Sequence, residues 1–192
     1  MDPTREQALL KQAQAGDSEA FAALYHAHVQ VIFRYIAYRV NDMQLAEDLT
    51  GDVFTKALES LPKYVDQGRP LRAWLYRIAR ARVIDHYRKV NRRAQESELD
   101  EEAQAVTMNL DDSLLRRQAA KALREAITHL TDEQQQVVIL RFFEGHRIEV
   151  VAQMMGKQPN AIKALQFRAI RTLASRLERK GFDIEMILAG IS

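Results

Sequence analysis

Cysteine is absent from this 192-residue chain. That excludes disulfide scaffolds, thiol nucleophiles and cysteine-based zinc sites, and it fits a reducing compartment such as the cytoplasm. Glycine and proline are scarce, at seven and four residues, and no glycine-rich loop of the phosphate-cradling kind occurs. No apolar run approaches the roughly 18 residues that a membrane-spanning helix needs. The opening MDPTREQALLKQ is polar and has no apolar core of signal-peptide type. A large net charge is missing as well: the formal total is +2, although the pI is near 8.9. Catalytic constellations are also lacking. The five histidines are scattered, and His26 and His28 stand two apart, where paired metal ligands on a helix want a spacing of four. Neither enzyme activity, nor a metal, nor a cofactor is expected.

What remains is abundant Ala, Leu, Gln, Glu and Arg with few β-branched runs, the composition of an all-α protein. The near-neutral total hides strong local asymmetry. From Lys63 to Arg93, ten Lys and Arg residues face only Asp66 and Asp85. Within this stretch PLRAWLYRIARARVIDHYRKVNRR (70–93) has amphipathic spacing, and Pro70 suits a first helical turn because it has no N–H to lose there. Leu71, Trp74, Leu75, Ile78 and Ala81 are expected inward. Arg72, Tyr76, Arg77, Arg80 and Tyr87 are expected outward, running on into Arg88 and Lys89. Cations interleaved with aromatic rings suit a phosphodiester backbone with exposed bases; the alternative is a solvated face on an ordinary core helix. Arg82 and Asp85, three apart on the apolar side, read as a structural pair or as partners for other helices of the same domain.

Upstream, residues 4–15 form a short helix ending at Gly16. Asp17 and Ser18 are N-cap candidates for a second helix that runs to about Val40. A third helix spans about Met43 to Leu61 and stops at Pro62. Its buried stripe is Leu45, Ala46, Leu49, Val53, Ala57 and Leu61. Asp48, Asp52, Thr55 and Glu59 form an acidic ridge on its other side, either a solvated surface or a docking face for a basic partner. Gly51 within this helix costs about 1 kcal/mol relative to Ala. Downstream of Arg93 the composition inverts: residues 94–112 carry seven acidic residues and no Lys or Arg, which reads as a flexible acidic linker.

A second module begins near Ser113, with Leu114, Ala119, Leu123, Ile127 and Leu130 inward. Thr131 and Gln134 have capping-box spacing, and the helix they open is expected to reach Gly145. Ile148–Met155, a turn through Gly156 and Lys157–Gln158, and a long helix from Pro159 then give a helix-turn-helix. Ile162, Leu165, Ala169, Leu173 and Leu177 point to the core. Asn160, Lys163, Ala164, Phe167, Arg168 and Arg171 project outward, where recognition helices meet bases and phosphates. Phe182–Ser192 is a short tail with Ile184, Ile187, Leu188 and Ile191 at helical spacing.

AEDLTGDVFTKALESL, then LRAWLYRIARARVIDHYRK, then LTDEQQQVVILRFFEGHRIEVVAQMMGKQPNAIKALQFRAIRTL together resemble the extracytoplasmic-function (group IV) sigma factors of bacterial RNA polymerase, over about residues 5–180. The resemblance implies a first domain (1–93) that docks on the polymerase β′ clamp helices, captures an unstacked base of the −10 element and helps melt the promoter. It implies a linker (94–112) threaded through polymerase channels, a second domain (113–180) that reads the −35 element near the β flap, and a tail (181–192). The partners implied are core RNA polymerase, promoter DNA and an anti-sigma factor, with no membrane. On this matching, Asp48, Asp52, Thr55 and Glu59 contact polymerase, and the loop Tyr64–Arg69 holds −10 specificity. Tyr64, Arg69, Arg72, Tyr76, Arg77, Arg80 and Arg88 serve the −10 side; Lys157, Asn160, Lys163, Phe167, Arg168 and Arg171 serve the −35 side. The family usually carries Gln where this chain has Gly51, and Ser, Arg and His where it has Ala164, Leu165 and Phe167. Trp74 matches a family Trp, here expected in the core. A free-standing helix-turn-helix regulator is the alternative, accounting for residues 130–175 alone.

Overall fold

Side-chain caps set where several of the helices start. In a computed structural model of the chain, which describes residues 1–40, 42–66, 68–96 and 114–184, α1 (Pro3–Gln14) opens where Asp2 Oδ2 accepts the Arg5 N–H at 3.1 Å. α2 (Ser18–Val40) opens on Asp17, whose Oδ1 accepts the N–H groups of Glu19 and Ala20 at 2.9 and 3.1 Å, as the sequence predicts. α3 (Met43–Ser60) tightens into a 3₁₀ turn at Leu61–Lys63, and α4 spans Leu71–Glu96. α5 (Leu114–Thr128) is followed by α6 (Asp132–Val138), with both arms of the expected capping box formed: the Gln134 N–H donates to Thr131 Oγ1 at 3.4 Å, and the Thr131 N–H to Gln134 Oε1 at 3.0 Å. α7 (Ile148–Met155) ends at Gly156, whose φ of 65° is the left-handed conformation that favours glycine. α8 (Pro159–Glu178) follows two residues later.

Three boundaries differ from expectation. Pro70 lies just outside α4, its carbonyl accepting the Ala73 N–H at 2.8 Å. α4 continues three residues past Arg93 to Glu96, since Ala94, Gln95 and Glu96 are good helix formers. The run after Val138 does not stay α-helical to Gly145 but widens into a π-helical segment, Ile139–Phe143, in which the Glu144 N–H reaches back to the Ile139 carbonyl at 3.0 Å. Val137, Val138, Ile139 and Leu140 are all buried, four consecutive residues that a narrow apolar stripe could not cover. The expected acidic linker, apart from residues 94–96, lies outside the described residues, as does the tail beyond Ile184.

The described residues divide into two compact units, one drawing on residues 1–37 and 43–96, the other on 38–40, 42 and 114–184. In the first, α3 packs along α4. Tyr25 of α2 meets Phe54 of α3 edge-on at 4.8 Å, and Tyr35 of α2 meets Tyr76 of α4 at 4.9 Å. In the second, α8 packs against α5, α6 and α7. The expected stripe Ile162, Leu165, Ala169, Leu173 and Leu177 is buried, joined by Leu123, Ile127, Leu130 and Ile184. Buried Gln135 ties the α5–α6 corner by donating to the Thr128 and Leu130 carbonyls at 3.4 and 3.3 Å. Among the described residues no helix is long and apolar enough to cross a membrane.

α4 is turned about its axis relative to the expected phase. Its buried residues are Leu71, Ala73, Leu75, Tyr76, Ala79 and Val83, while Ala81, expected inside, is exposed. The shift amounts to about one residue, roughly 100°. Tyr76 decides it: at 1% exposure the ring is a core side chain packed on Tyr35 and does not belong to the outward set. Asp85 is likewise exposed and meets Arg88 of its own helix at 3.9 Å, neither paired with Arg82 nor turned toward another helix as expected.

Gly51 sits in the third turn of α3, exposed, with nothing within 4 Å of a Cβ built on it. Gly51→Ala therefore adds no clash and removes backbone freedom from the unfolded chain. Thermal or chemical unfolding of the variant is expected to show a gain of about 1 kcal/mol.

Candidate functional site

Three outward surfaces carry the chemistry the sequence pointed to. The first is the acidic ridge of α3. Burial of Ala46, Leu49, Thr50, Val53, Phe54 and Ala57 fixes the helix phase and leaves Asp48, Asp52, Thr55 and Glu59 exposed along the other side, as expected. Gln44 Nε2 approaches Asp48 Oδ1 at 3.5 Å. Lys56 Nζ donates to Glu59 Oε2 at 3.0 Å, which offsets the lower end of the ridge and leaves Asp48 and Asp52 as its anionic centre.

The second surface is the loop 64–69 with the outer side of α4. Arg69, Arg77 and Arg88 are exposed, whereas Arg72 and Arg80 are half-buried at the flanks of the packed face. With Tyr76 withdrawn into the core, Tyr87 is the expected outward ring of α4 that is exposed, and a further aromatic pair stands nearer the loop. Tyr64 and Trp74 lie half-buried with ring centroids 4.6 Å apart, at the junction of loop and helix. Trp74 is thus neither the interior residue expected nor a free ring. Burial raises the Tyr64 phenol above its ordinary pKa, with the nearby Asp66 carboxylate adding to the shift.

α1 braces this loop, a role that the sequence does not announce. Gln14 Nε2 donates to the carbonyls of Leu61 and Tyr64 at 3.2 and 2.7 Å, and Gln7 Nε2 to Asp66 Oδ2 at 3.2 Å. Asp66 in turn accepts the Gly68 N–H at 2.8 Å. Glu6 completes the brace: its Oε1 lies 2.9 Å from Nε2 of His28, which is 1% exposed. The His28 hydrogen bond holds the Glu6 carboxyl below the usual carboxylate range against the opposing effect of burial, and the Leu71 backbone N–H also lowers it. One carboxylate of α1 therefore touches α2 and the first residue of α4. His28 has this packing role, and no group of three or more potential metal-ligating side chains exists among the described residues.

The third surface is α8. Asn160, Lys163, Ala164, Phe167, Arg168 and Arg171 are all exposed, as predicted. Lys157 is not a free cation: it is half-buried, with Nζ 2.8 Å from Glu133 Oε1, because the turn after α7 lays it beside the first turn of α6. Arg141, which no motif marks, aims the helix. From the π-helical segment its Nε donates to Gln166 Oε1 at 3.1 Å and its Nη1 to the His146 carbonyl, tying α8 to the stretch that leads into α7.

A short helix and a longer one carrying exposed cations, in one chain with a second body that has one acidic and one basic side, limit the known proteins to be considered. Two solved structures share the fold. CnrH in complex with the cytosolic domain of CnrY is 22% identical with a TM-score of 0.67, covering 91% of this chain and 98% of that one. RpoE of Bartonella quintana, in complex with the anti-sigma factor NepR, is 24% identical with a TM-score of 0.66, covering 82% and 96%. Residues 24–93 match Sigma-70 region 2 and residues 120–173 match Sigma-70, region 4. The ECF RNA polymerase sigma factor BldN of Streptomyces coelicolor is 40% identical over 177 residues, 92% of this chain and 67% of that protein. ShbA of Streptomyces griseus, another ECF RNA polymerase sigma factor, is 31% identical over 183 residues, 90% and 95%. The chain belongs to the ECF RNA polymerase sigma factors.

A sigma factor is a transcription initiation factor and not an enzyme, which agrees with the lack of a catalytic constellation in the sequence. The region 2 match over residues 24–93 disfavours a stand-alone helix-turn-helix regulator, for which residues 130–175 alone would suffice. In this sigma factor the Glu6 contact has a pH signature. Because its folded pKa is depressed, the stability it contributes is present above the unfolded glutamate pKa and is lost as pH falls through the folded value. Urea unfolding is expected to show wild type more stable than Glu6→Gln near neutral pH, with the gap closing below the usual carboxylate range.

Proposed function

We propose that this sigma factor binds core RNA polymerase and directs it to promoters through the three surfaces just described. The observation that carries this reading is the match to region 2 and region 4 in one chain, each over a unit with an exposed cationic face. α3 offers Asp48 and Asp52, with Thr55 and the Lys56-paired Glu59, to the β′ clamp helices. The loop 64–69 and the outer side of α4, with Arg69, Arg77 and Arg88 most accessible, take the −10 element. α8 enters the major groove at the −35 element, while its unit lies near the β flap.

Promoter melting in this scheme needs no catalysis. A base held out of the stack and a single strand held on a cationic, aromatic face shift the duplex–bubble equilibrium through binding alone. Two modest contacts on one polymerase-bound factor also gain from being tethered, because the second binding event is effectively intramolecular. The protein acts in the cytoplasm, where its DNA is. An anti-sigma factor is a further partner in this reading, as NepR is for the RpoE chain solved with it.

Asp48→Arg combined with Asp52→Arg reverses the charge of two exposed positions that make no core contact. The double variant is expected to fold normally by circular dichroism and to lose pull-down of core polymerase; undiminished pull-down removes the ridge from the interface. Lys163→Ala is expected to weaken holoenzyme binding to cognate promoter duplex about uniformly across sequences and to lower the salt slope by about one, read from filter binding at several salt concentrations.

A further inference from the structure

Phe167 stands in solvent at 70% exposure, in a helix whose other apolar side chains are mostly packed. Its position is fixed by that packing. The buried stripe Ile162, Leu165, Ala169 and Leu173 sets the rotation of α8. At about 100° per residue, Asn160, Ala164, Phe167 and Arg171 then fall along one line at the centre of the outward side. Lys163 and Arg168 lie on the two flanks of that line, and all six are exposed. Arg141, through Gln166, holds the helix at this point.

An apolar pair between two cationic flanks has a natural counterpart. The major groove has phosphates on both walls and base edges on its floor, and the apolar feature of that floor is the C5-methyl group of thymine. Ala164 and Phe167 are separated by about 4.5 Å along the helix axis, close to one base-pair step of about 3.4 Å. The flanking charges favour this polyanion over an apolar protein groove as the occupant.

We propose that Phe167, with Ala164 beside it, reads thymine methyl groups in the duplex that α8 enters, so that the preferred −35 sequence carries thymine at the positions these two residues meet. This deepens the proposed function and rests on it. Specificity at these positions comes from burying methyl and ring surface together, without a hydrogen bond, and each methyl is worth roughly fourfold in binding.

The test uses the full chain with core RNA polymerase on a promoter pool randomised upstream of the start, each promoter linked to a transcribed barcode. The barcodes of the run-off transcripts are sequenced for wild type and for Phe167→Ala to identify the promoters used. Wild type is expected to enrich thymine within the −35 element, and Phe167→Ala to lose that enrichment at one or two adjacent positions while keeping the rest. The selected promoter, rebuilt with deoxyuridine at those thymines, is then expected to lose roughly fourfold per methyl with wild type and to be indifferent with Phe167→Ala. Selected promoters with no thymine at the Phe167-dependent positions, or an unchanged response to deoxyuridine, overturn the inference and leave the proposed function standing. Equal loss of transcription on every sequence, with base preference intact, assigns the ring to a protein contact and also overturns it. Absence of any promoter-dependent transcript overturns the proposed function, and the inference with it.

Discussion

The rotational phase of each helix is the constraint on which the rest of this structure depends. A helix that buries one stripe of apolar side chains has no freedom left to choose what it shows on its other side. In α8 the stripe through Ile162, Leu165, Ala169, Leu173 and Leu177 presents Asn160, Lys163, Phe167 and Arg171 to solvent. In α3 the stripe through Ala46, Leu49, Val53 and Ala57 presents Asp48 and Asp52. The functional surfaces are in this sense by-products of core formation, and they inherit its rigidity.

The same constraint explains what could be read from the sequence and what could not. α3 and α8 have clean apolar periodicity. The expected inner and outer residues of α8 stand where the sequence puts them, and so does the acidic ridge of α3, whose inner stripe differs only in that Leu45 is half-buried while Thr50 and Phe54 are buried. For α4 the sequence indicates the charge, but the phase and both ends differ in the structure. Its aromatic residues are amphipathic, so Tyr76 and Trp74 fit either side of a wheel. The choice was made by a residue far away in the sequence, Tyr35, which receives the Tyr76 ring. Lys157 failed for a related reason: its ion-pair partner, Glu133, lies on another helix. Arg141, Gln7 and Gln14 belong to no local pattern, since each acts by hydrogen bonding across segments that only the fold brings together.

The two cationic surfaces also differ in chemistry. The outer side of α4 has arginines around a half-buried Tyr64–Trp74 pair, groups suited to strands whose bases are already accessible. α8 offers a narrow row of small and flat side chains between single cations, suited to a groove whose bases remain paired. The acidic ridge of α3 meets neither need, and its charge repels nucleic acid.

The loop 64–69 is not a free arm between two helices. Its start is held through the Leu61 and Tyr64 carbonyls, its middle through Asp66 and its end through the first residue of α4, and all three holds come from α1. The opening fourteen residues thus work as a splint on the loop. A tag or cleavage that loosened them would leave Arg69, Arg77 and Arg88 in place and yet blur the aim of the loop; under the proposed function, promoter discrimination would then fall before affinity does.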